Sequence, residues 1–276
     1  MGQMTSDGAG VRLRRIFGFN EEGLFDPFLL LDYFGSDNPH DYIAGFPWHP
    51  HRGMETVTYM LEGKVEHGDS LGNKGVIGKG DIQWMTAGNG IIHQEMPKPE
   101  DDHRMFGFQL WINLPASKKM MNPRYQEIKG NDVPEIQLKS GVSIKVIAGS
   151  YNAVNGPVHD LMINPTYFDV SLPSNTSFLL PVQFDYTAFV VVFEGEGYFD
   201  EIESNAMKPG EVALLKDGSQ VKITTHSSHV RFLFVSGKPI RESIAWRGPI
   251  VMNTEEELAL AFKELREGNF IKTTGK

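Results

Sequence analysis

The stretch from His49 to Glu95 opens with His49-Pro-His51 and closes with His93-Gln-Glu95, two pairs of metal-type ligands at a spacing of two residues. In an extended strand, residues i and i+2 point to the same side and lie roughly 6–7 Å apart. His49 and His51 should therefore point together, and so should His93 and Glu95. Two such strands facing each other in a small barrel would bring three imidazoles and a carboxylate around one ion. The spacing predicts a mononuclear site for a first-row transition metal.

The residues between the two pairs are typical of strands and turns. Thr56-Val-Thr-Tyr-Met-Leu61 is β-branched and apolar, Glu62-Gly-Lys64 is a turn signal, and Gly80-Asp-Ile-Gln-Trp-Met85 is a further strand. A single histidine on a strand is more often a surface or core residue than a ligand. Two ligand pairs with the strand period, separated by hairpins, favour the metal site.

The composition limits the class of protein. The chain has 276 residues, 40% hydrophobic and 11% aromatic, which is enough for a large packed core. Its net charge of −9 gives direct nucleic-acid binding little electrostatic support. Cysteine is absent, which excludes disulfides and thiolate ligands. The chain also lacks a long apolar segment or a signal-peptide pattern, so we expect a soluble cytoplasmic protein without membrane partners, with the nucleus as the alternative in a eukaryote.

A change in composition and a repeat divide the chain. Residues 115–141 are rich in proline, glycine and lysine, and we place the domains at 1–130 and 131–276. Met60-Leu-Glu-Gly63 has a counterpart in Val192-Phe-Glu-Gly195, and a second motif repeats in the same way. Two copies of one β unit are the simplest explanation. When the two copies are aligned on these motifs, the residues that correspond to His49, His51, His93 and Glu95 are Pro181, Gln183, Ile223 and Thr225.

The second copy has therefore lost its metal ligands, and its cavity should only pack. His226 and His229 lie near the lost positions, and we interpret them as surface residues.

The sequence predicts one helix near the C-terminus. Thr254-Glu-Glu-Glu257 is a capping-box pattern, apolar residues recur at helical spacing after it, and Gly268 supplies the stop. The apolar stripe of this helix should dock on a barrel.

A family resemblance rests on four segments. They are Pro47-Trp-His-Pro-His-Arg-Gly-Met-Glu-Thr-Val-Thr-Tyr59, Gly80-Asp-Ile-Gln-Trp-Met-Thr-Ala-Gly88, Gly90-Ile-Ile-His-Gln-Glu-Met-Pro97 and Gly248-Pro-Ile-Val-Met-Asn-Thr254. In these segments the chain resembles the pirin family, which are bicupins of the cupin superfamily. The resemblance implies an all-β fold of two face-to-face antiparallel, jelly-roll-like β-barrels with a C-terminal α-helix. It also implies metal in the N-terminal barrel only.

Two carboxylates compete for the place of the fourth ligand. Glu55 and Glu95 both have the strand parity of their histidines, so spacing alone leaves the choice open. The general cupin pattern, His-x-His-x-x-x-Glu followed by a later His, would select Glu55. Pirins resemble one another in taking the carboxylate from the second motif. The resemblance therefore implies His49, His51, His93 and Glu95 as the ligands, with Glu55 behind them or in the barrel wall.

The expected chemistry follows from such a site. Three imidazoles and one carboxylate leave up to two positions of an octahedral divalent ion open, and we expect Fe(II), with Ni, Zn, Mn or Cu as alternatives. The resemblance implies a quercetin 2,3-dioxygenase-like enzyme that opens a small flavonol with O₂ and releases carbon monoxide. Glu95 would then also be catalytic, as acceptor of the substrate hydroxyl proton.

Two alternatives of other classes remain open. A metal- or redox-dependent regulator without turnover, like the family's transcription co-regulators, would bind a protein partner, which suits the acidic charge better than nucleic acid. A cupin that binds a sugar or another small molecule would carry only a vestigial metal. In each case we expect a monomer.

Overall fold

The structure is a computed structural model that describes residues 2–21, 23–100, 103–216 and 218–273. Strands dominate it. The first eleven are β1 Gln3–Asp7, β2 Val11–Phe17, β3 Phe28–Ser36, β4 Phe46–His51, β5 Met54–Glu62, β6 Lys64–Asp69, β7 Lys74–Ile77, β8 Ile82–Thr86, β9 Ile91–Lys98, β10 Met105–Asn113 and β11 Arg124–Ile128. The next ten are β12 Glu135–Gln137, β13 Ser143–Ala148, β14 Ser150–Tyr151, β15 Val154–Asn155, β16 Thr166–Leu172, β17 Ser177–Pro181, β18 Thr187–Gly195, β19 Val212–Leu215, β20 Gln220–Thr224 and β21 Val230–Gly237. The last elements are β22 Ala245–Arg247, β23 Ile250–Met252 and the helix α1 Glu255–Glu267.

The chain forms two compact units. The N-terminal unit consists of Gln3–Gly23, Phe28–Asn131 and Ile240–Lys276, and the central unit contains Leu24–Pro27 and Asp132–Pro239. The units differ from the predicted domains 1–130 and 131–276 in the last segment, which packs with the N-terminal strands. The domain boundary itself stays a prediction. Strands and one C-terminal helix make up the architecture, so the expected all-β fold is confirmed.

In the N-terminal unit, two antiparallel sheets face each other. One has the order β1-β2-β3-β10-β5-β8-β11, and the other has the order β4-β9-β6-β7. Thr58 on β5 hydrogen-bonds Glu95 on β9, so the inner faces of the two sheets meet. The hydrogen bonds do not close the described strands into one continuous ladder, and the predicted barrel has the form of two facing sheets.

The central unit is built on the same plan but has an apolar interior. Its main sheet runs β12-β13-β16-β21-β18-β19, and β17 pairs with β20. Phe178, Leu180, Val190, Ile223 and Phe232 belong to its buried core. Ile223 is the counterpart of His93 in the second copy of the repeat. Its side chain has no metal-binding atom and packs in that core instead.

His226 and His229 lie at the surface of the central unit, as predicted. His226 Nε2 is 3.0 Å from Glu203 Oε2, and His229 Nε2 is 3.0 Å from Glu194 Oε1. Both imidazoles are more than half exposed. Exposed pairs of this kind contribute little to stability.

The C-terminal helix begins and ends where the sequence predicts. Thr254 Oγ1 accepts the backbone N–H of Glu257, the Glu257 carboxylate accepts the N–H of Thr254, and Gly268 ends the helix in the left-handed region at φ 76°. A capping interaction of this type stabilises a helix by about 1 kcal/mol. The apolar side of α1, with Leu258 and Ala261 buried, packs on the β22–β23 hairpin, and Ile92 of β9 packs against the same hydrophobic cluster. No helix in the described ranges is both long enough and apolar enough to span a membrane.

Candidate metal centre

The ladder between β4 and β9 brings three histidines together. His49 lies directly opposite His93, and His51 is two residues further along the same face of β4. The ring centroids are 4.3 Å apart for His49 and His93, 4.8 Å for His49 and His51, and 5.0 Å for His51 and His93. One ring nitrogen from each lies within 4.8 Å of the others, a grouping that could hold a metal ion.

The protonation of these imidazoles fits a metal. Burial lowers the pKa of His51 and of His93 well below the ordinary value, so both are neutral at pH 7. Both ring nitrogens of His93 and Nδ1 of His51 have no hydrogen-bond partner among the described residues. His49 Nδ1 lies 2.9 Å from the carbonyl of Pro47, which fixes the proton on Nδ1 and leaves the Nε2 lone pair for an ion. Buried, unpartnered nitrogens are costly, and an ion would satisfy one of them on each ring.

Glu95 lies on the same face of β9 as His93 and is 5% exposed. Its Oε1 accepts a hydrogen bond from Thr58 Oγ1 at 2.8 Å, and its Oε2 accepts one from Gln109 Nε2 at 3.1 Å. Among the described residues, the ligand atoms that lie within 4.8 Å of one another come from the three histidines, and Glu95 is not part of this group. Its role as fourth ligand therefore stays a prediction, as does the complete ligand set.

The parity assigned to Glu55 is wrong. Strand β4 ends at His51, and Gly53, with φ +79°, turns the chain into the other sheet before β5 begins at Met54. Because Thr58 points inward to Glu95, the alternation along β5 directs Glu55 to the outer face. There it is fully buried, Thr86 Oγ1 donates to it at 2.6 Å, and burial raises its pKa. Glu55 thus points away from the histidine group.

His67 is a residue of the centre that the sequence analysis missed. On β6 it pairs directly with Glu95, its ring stacks on Tyr125 with centroids 4.8 Å apart, and it lies 5.5 Å from the ring of His93. Its Nε2 is 3.4 Å from Asp69 Oδ2. The pair His67-Gly-Asp69 has the same two-residue period as the predicted ligands, and this signal could have revealed it.

A cavity of about 750 Å³ in the N-terminal unit gives access to the centre. His49, His51 and Glu95 line it together with the aromatic rings of Phe19, Phe46, Trp111 and Trp246. Trp48, which lies between two lining residues of β4, is itself 54% exposed. Its side chain alternates away from Pro47 and His49 along β4. A cavity of this size, with aromatic walls and a few polar groups, is typical of small-molecule sites.

Comparisons with known proteins agree on one family. Its models, Pirin and Pirin C-terminal cupin domain, match residues 10–112 and 167–271 and confirm two cupin-like domains. The Pirin-like protein of Caulobacter vibrioides is 47% identical over 270 residues, 98% of this chain and 96% of that protein. Pirin of Rattus norvegicus is 38% identical over 265 residues, 95% of this chain and 88% of that protein. A crystal structure of quercetin 2,3-dioxygenase from Acinetobacter baumannii matches with TM-score 0.89 and 35% identity, over 97% of this chain and 94% of that one. The chain therefore belongs to the pirin family of the cupin superfamily.

Proposed function

We propose that the protein is a metal-dependent dioxygenase that opens flavonols such as quercetin with O₂ at a mononuclear Fe(II)-type centre. The observation that carries this proposal is the group of three histidines beside an aromatic cavity, which His49 and His51 line. The similarity to a quercetin 2,3-dioxygenase of known structure supports the choice of substrate.

His49, His51 and His93 would hold the ion together with Glu95. One carboxylate on a divalent ion leaves a net charge of +1, and four protein ligands leave up to two octahedral positions open. When bound, the ion would supply these open positions and a positive charge that favours an ionised substrate hydroxyl. Fe(II) is our first choice, with Ni, Zn, Mn and Cu as alternatives.

The residues of the chain would orient the substrate and move its proton. The rings of Trp111 and Trp246 can lie against a flat aromatic molecule and exclude water from it. Each oxygen of Glu95 already accepts one hydrogen bond but has a second acceptor site. Glu95 can therefore take the proton of the substrate hydroxyl while Thr58 and Gln109 hold its carboxylate in place. Overall, O₂ is consumed and one substrate carbon leaves as carbon monoxide.

The test combines metal analysis with oxygen uptake. Mass spectrometry of the intact protein after anaerobic reconstitution with Fe(II) should show about one ion per chain. Oxygen uptake and carbon monoxide release should then follow addition of quercetin to wild type and be lost in Glu95→Ala. Metal binding without turnover would contradict the enzyme and favour the metal-dependent regulator of a protein partner. Absence of metal binding would overturn both.

A further inference from the structure

A row of polar side chains crosses the inner face of the seven-stranded sheet. Neighbouring residues of the row are direct partners on adjacent strands, from β2 through β3, β10 and β5 to β8. The row consists of Arg15, Asp32, Gln109, Thr58 and Gln83. Directly paired residues project to the same side of a sheet. Two members of the row, Thr58 and Gln109, donate hydrogen bonds to Glu95. The same row continues to a second polar group, which Asp32 and Arg15 form.

Asp32 and Arg15 form a well-defined ion pair in the cavity wall. Arg15 Nε donates to Asp32 Oδ1 at 2.9 Å and Nη2 donates to Oδ2 at 2.8 Å, while Nη2 also donates to Asp7 Oδ2 at 2.8 Å. Asp32 is only 4% exposed, and all three side chains line the same cavity as His49 and His51. The cavity-lining residues two positions away along their strands are apolar, among them Leu13 and Phe34. A buried carboxylate in apolar surroundings carries a desolvation cost that pairing must offset.

The two ends of the cavity differ in charge. Arg15 carries +1 against −2 for Asp7 and Asp32, so this group of three side chains has a net charge of −1. The end with the histidines would carry +1 once a divalent ion and Glu95 are in place. Asp32 is two strand spacings from Thr58, which corresponds to roughly 10 Å. A flat, elongated ligand could reach both ends, with an anionic oxygen at one and neutral hydrogen-bond donors at the other.

Asp32 has capacity for such donors. A carboxylate has about four acceptor sites, and the two bonds from Arg15 leave a site on each oxygen. Burial raises the pKa of Asp32 to about 6, so at pH 8 it is an ionised acceptor that gains from a further donor. A second carboxylate from a ligand would be repelled by the net negative charge at this end.

We propose that Asp32, held by Arg15, accepts hydrogen bonds from hydroxyl groups at the end of the substrate remote from its metal-binding oxygen. The cavity thereby selects flat polyphenols with free distal hydroxyls, such as a catechol, over flavonols without them. The proposal deepens the proposed function and rests on it for the orientation of the substrate. The contact with Asp32 can nevertheless be measured by binding alone.

The test measures dissociation constants at pH 8 under anaerobic conditions, with Fe(II)-loaded protein and the tryptophan fluorescence of the cavity as readout. The probes are quercetin, its 3′,4′-dimethyl ether and 3-hydroxyflavone, which share the metal-binding hydroxyl and differ at the distal end. Wild type should bind quercetin at least about tenfold more tightly than either analogue, since one hydrogen bond to a charged acceptor is worth that factor. Equal affinities in wild type would overturn the proposal whatever the variants do.

Three variants test whether the preference for quercetin over its analogues depends on Asp32. Asp32→Leu and the double variant Arg15→Met/Asp32→Leu, which removes both charges together, should lower the preference to less than threefold. Asp169→Leu is the matched control. In the central unit, Arg231 Nε and Nη2 donate to Asp169 at 2.9 and 2.6 Å, so this variant also loses a buried bidentate pair. Its preference for quercetin should equal that of wild type. A preference that survives in a folded Asp32 variant would contradict the role of Asp32.

Oxygen uptake separates this proposal from the proposed function. If quercetin binds with an Asp32-dependent preference but is not turned over, the dioxygenase assignment is wrong and the recognition of distal hydroxyls stands. If all three flavonols are turned over with equal dissociation constants, the dioxygenase assignment stands and the role of Asp32 is wrong.

Discussion

The hydroxyl of Thr58 donates to Oε1 of Glu95 at 2.8 Å and joins the seven-stranded sheet to the strand of His93. The amide of Gln109, on the next strand, donates to the other oxygen. The carboxylate is therefore oriented by neutral donors from the opposite sheet. Partners of this kind fix the direction of a metal ligand before the ion binds.

Removing the hydroxyl of Thr58 should weaken metal binding. In Thr58→Val the carboxylate of Glu95 loses its shorter hydrogen bond, and metal affinity should fall about 10- to 100-fold, measured by competition with a chelator. Thr56→Val is the matched control, because Thr56 lies on the same strand and face, and its buried hydroxyl has no partner among the described residues. An equal loss of affinity in both variants would assign the effect to packing.

The two candidate carboxylates should behave differently towards a metal. In Glu95→Gln the charge at the histidine group is lost, and binding of Fe(II) or Ni(II) should weaken by at least about tenfold. In Glu55→Gln the affinity should match that of wild type, because Glu55 faces away from the group and bonds to Thr86. Titration with metal and mass spectrometry of the product measure both. If Glu55→Gln loses the metal and Glu95→Gln retains it, our choice of ligand is wrong.

The sequence correctly predicts which side chains point the same way when both residues of a pair lie on one continuous strand. His49 and His51 share β4, and His93 shares β9 with Glu95, so the two-residue period is enough to place each pair. The period fails for Glu55, because the positive φ of Gly53 starts a new strand in the other sheet. The same period marks His67-Gly-Asp69 as a candidate pair, but placing His67 beside Glu95 also requires knowing that β6 pairs with β9, and strand pairing is not a local property.

The sequence predicts the two ends of the helix but not the surface on which the helix docks, because only the ends are determined by local interactions. Thr254 and Gly268 act through local hydrogen bonds and local backbone conformation, which the sequence displays directly. The hydrophobic cluster that includes Leu258 of α1 and packs against Ile92 joins residues far apart in the chain. An amphipathic pattern shows that a helix must pack on something, without showing on what.

The buried carboxyl of Glu55 should give the protein a specific pH dependence. Burial raises its pKa, so above the unfolded value the folded chain retains a proton that the unfolded chain has released. The free energy of unfolding should therefore fall as the pH rises through that interval, by about 1.4 kcal/mol per pH unit from this group. Glu55→Gln lacks the ionisation, so its stability relative to wild type should increase in urea unfolding as the pH rises above 4.5, the ordinary value for glutamate. A difference that stays constant with pH would contradict this account.

The buried ammonium of Lys119 should be essential for the turn after His51. Its Nζ donates to Asn113 Oδ1 at 2.6 Å, to the carbonyl of Gly53 at 2.9 Å and to that of Val251 at 3.0 Å. Lys119→Met keeps the length of the side chain but leaves three buried acceptors unpaired. We expect a loss of about 3 kcal/mol or more in urea unfolding, together with weaker metal binding. Lys118→Met is the control, because Lys118 precedes Lys119 in the chain but is exposed. A similar small loss in both variants would contradict the role of Lys119.

Arg52, the residue after His51, should couple the C-terminal helix to the metal centre. It is 2% exposed, Nη1 donates to Glu264 Oε2 of α1 at 2.7 Å, and Nη2 donates to the carbonyl of Phe270 at 2.7 Å. Arg52→Met removes both bonds, so unfolding should become easier by about 3 kcal/mol and metal affinity should fall. The amides of Glu255–Glu267 should also exchange faster in hydrogen–deuterium exchange, because the helix loses its buried anchor. Lys272→Met is the matched control, since Lys272 reaches the same Glu264 at 2.8 Å from an exposed position and should cost less than about 1 kcal/mol. If Arg52→Met releases the helix while the metal binds as in wild type, the helix and the centre are independent.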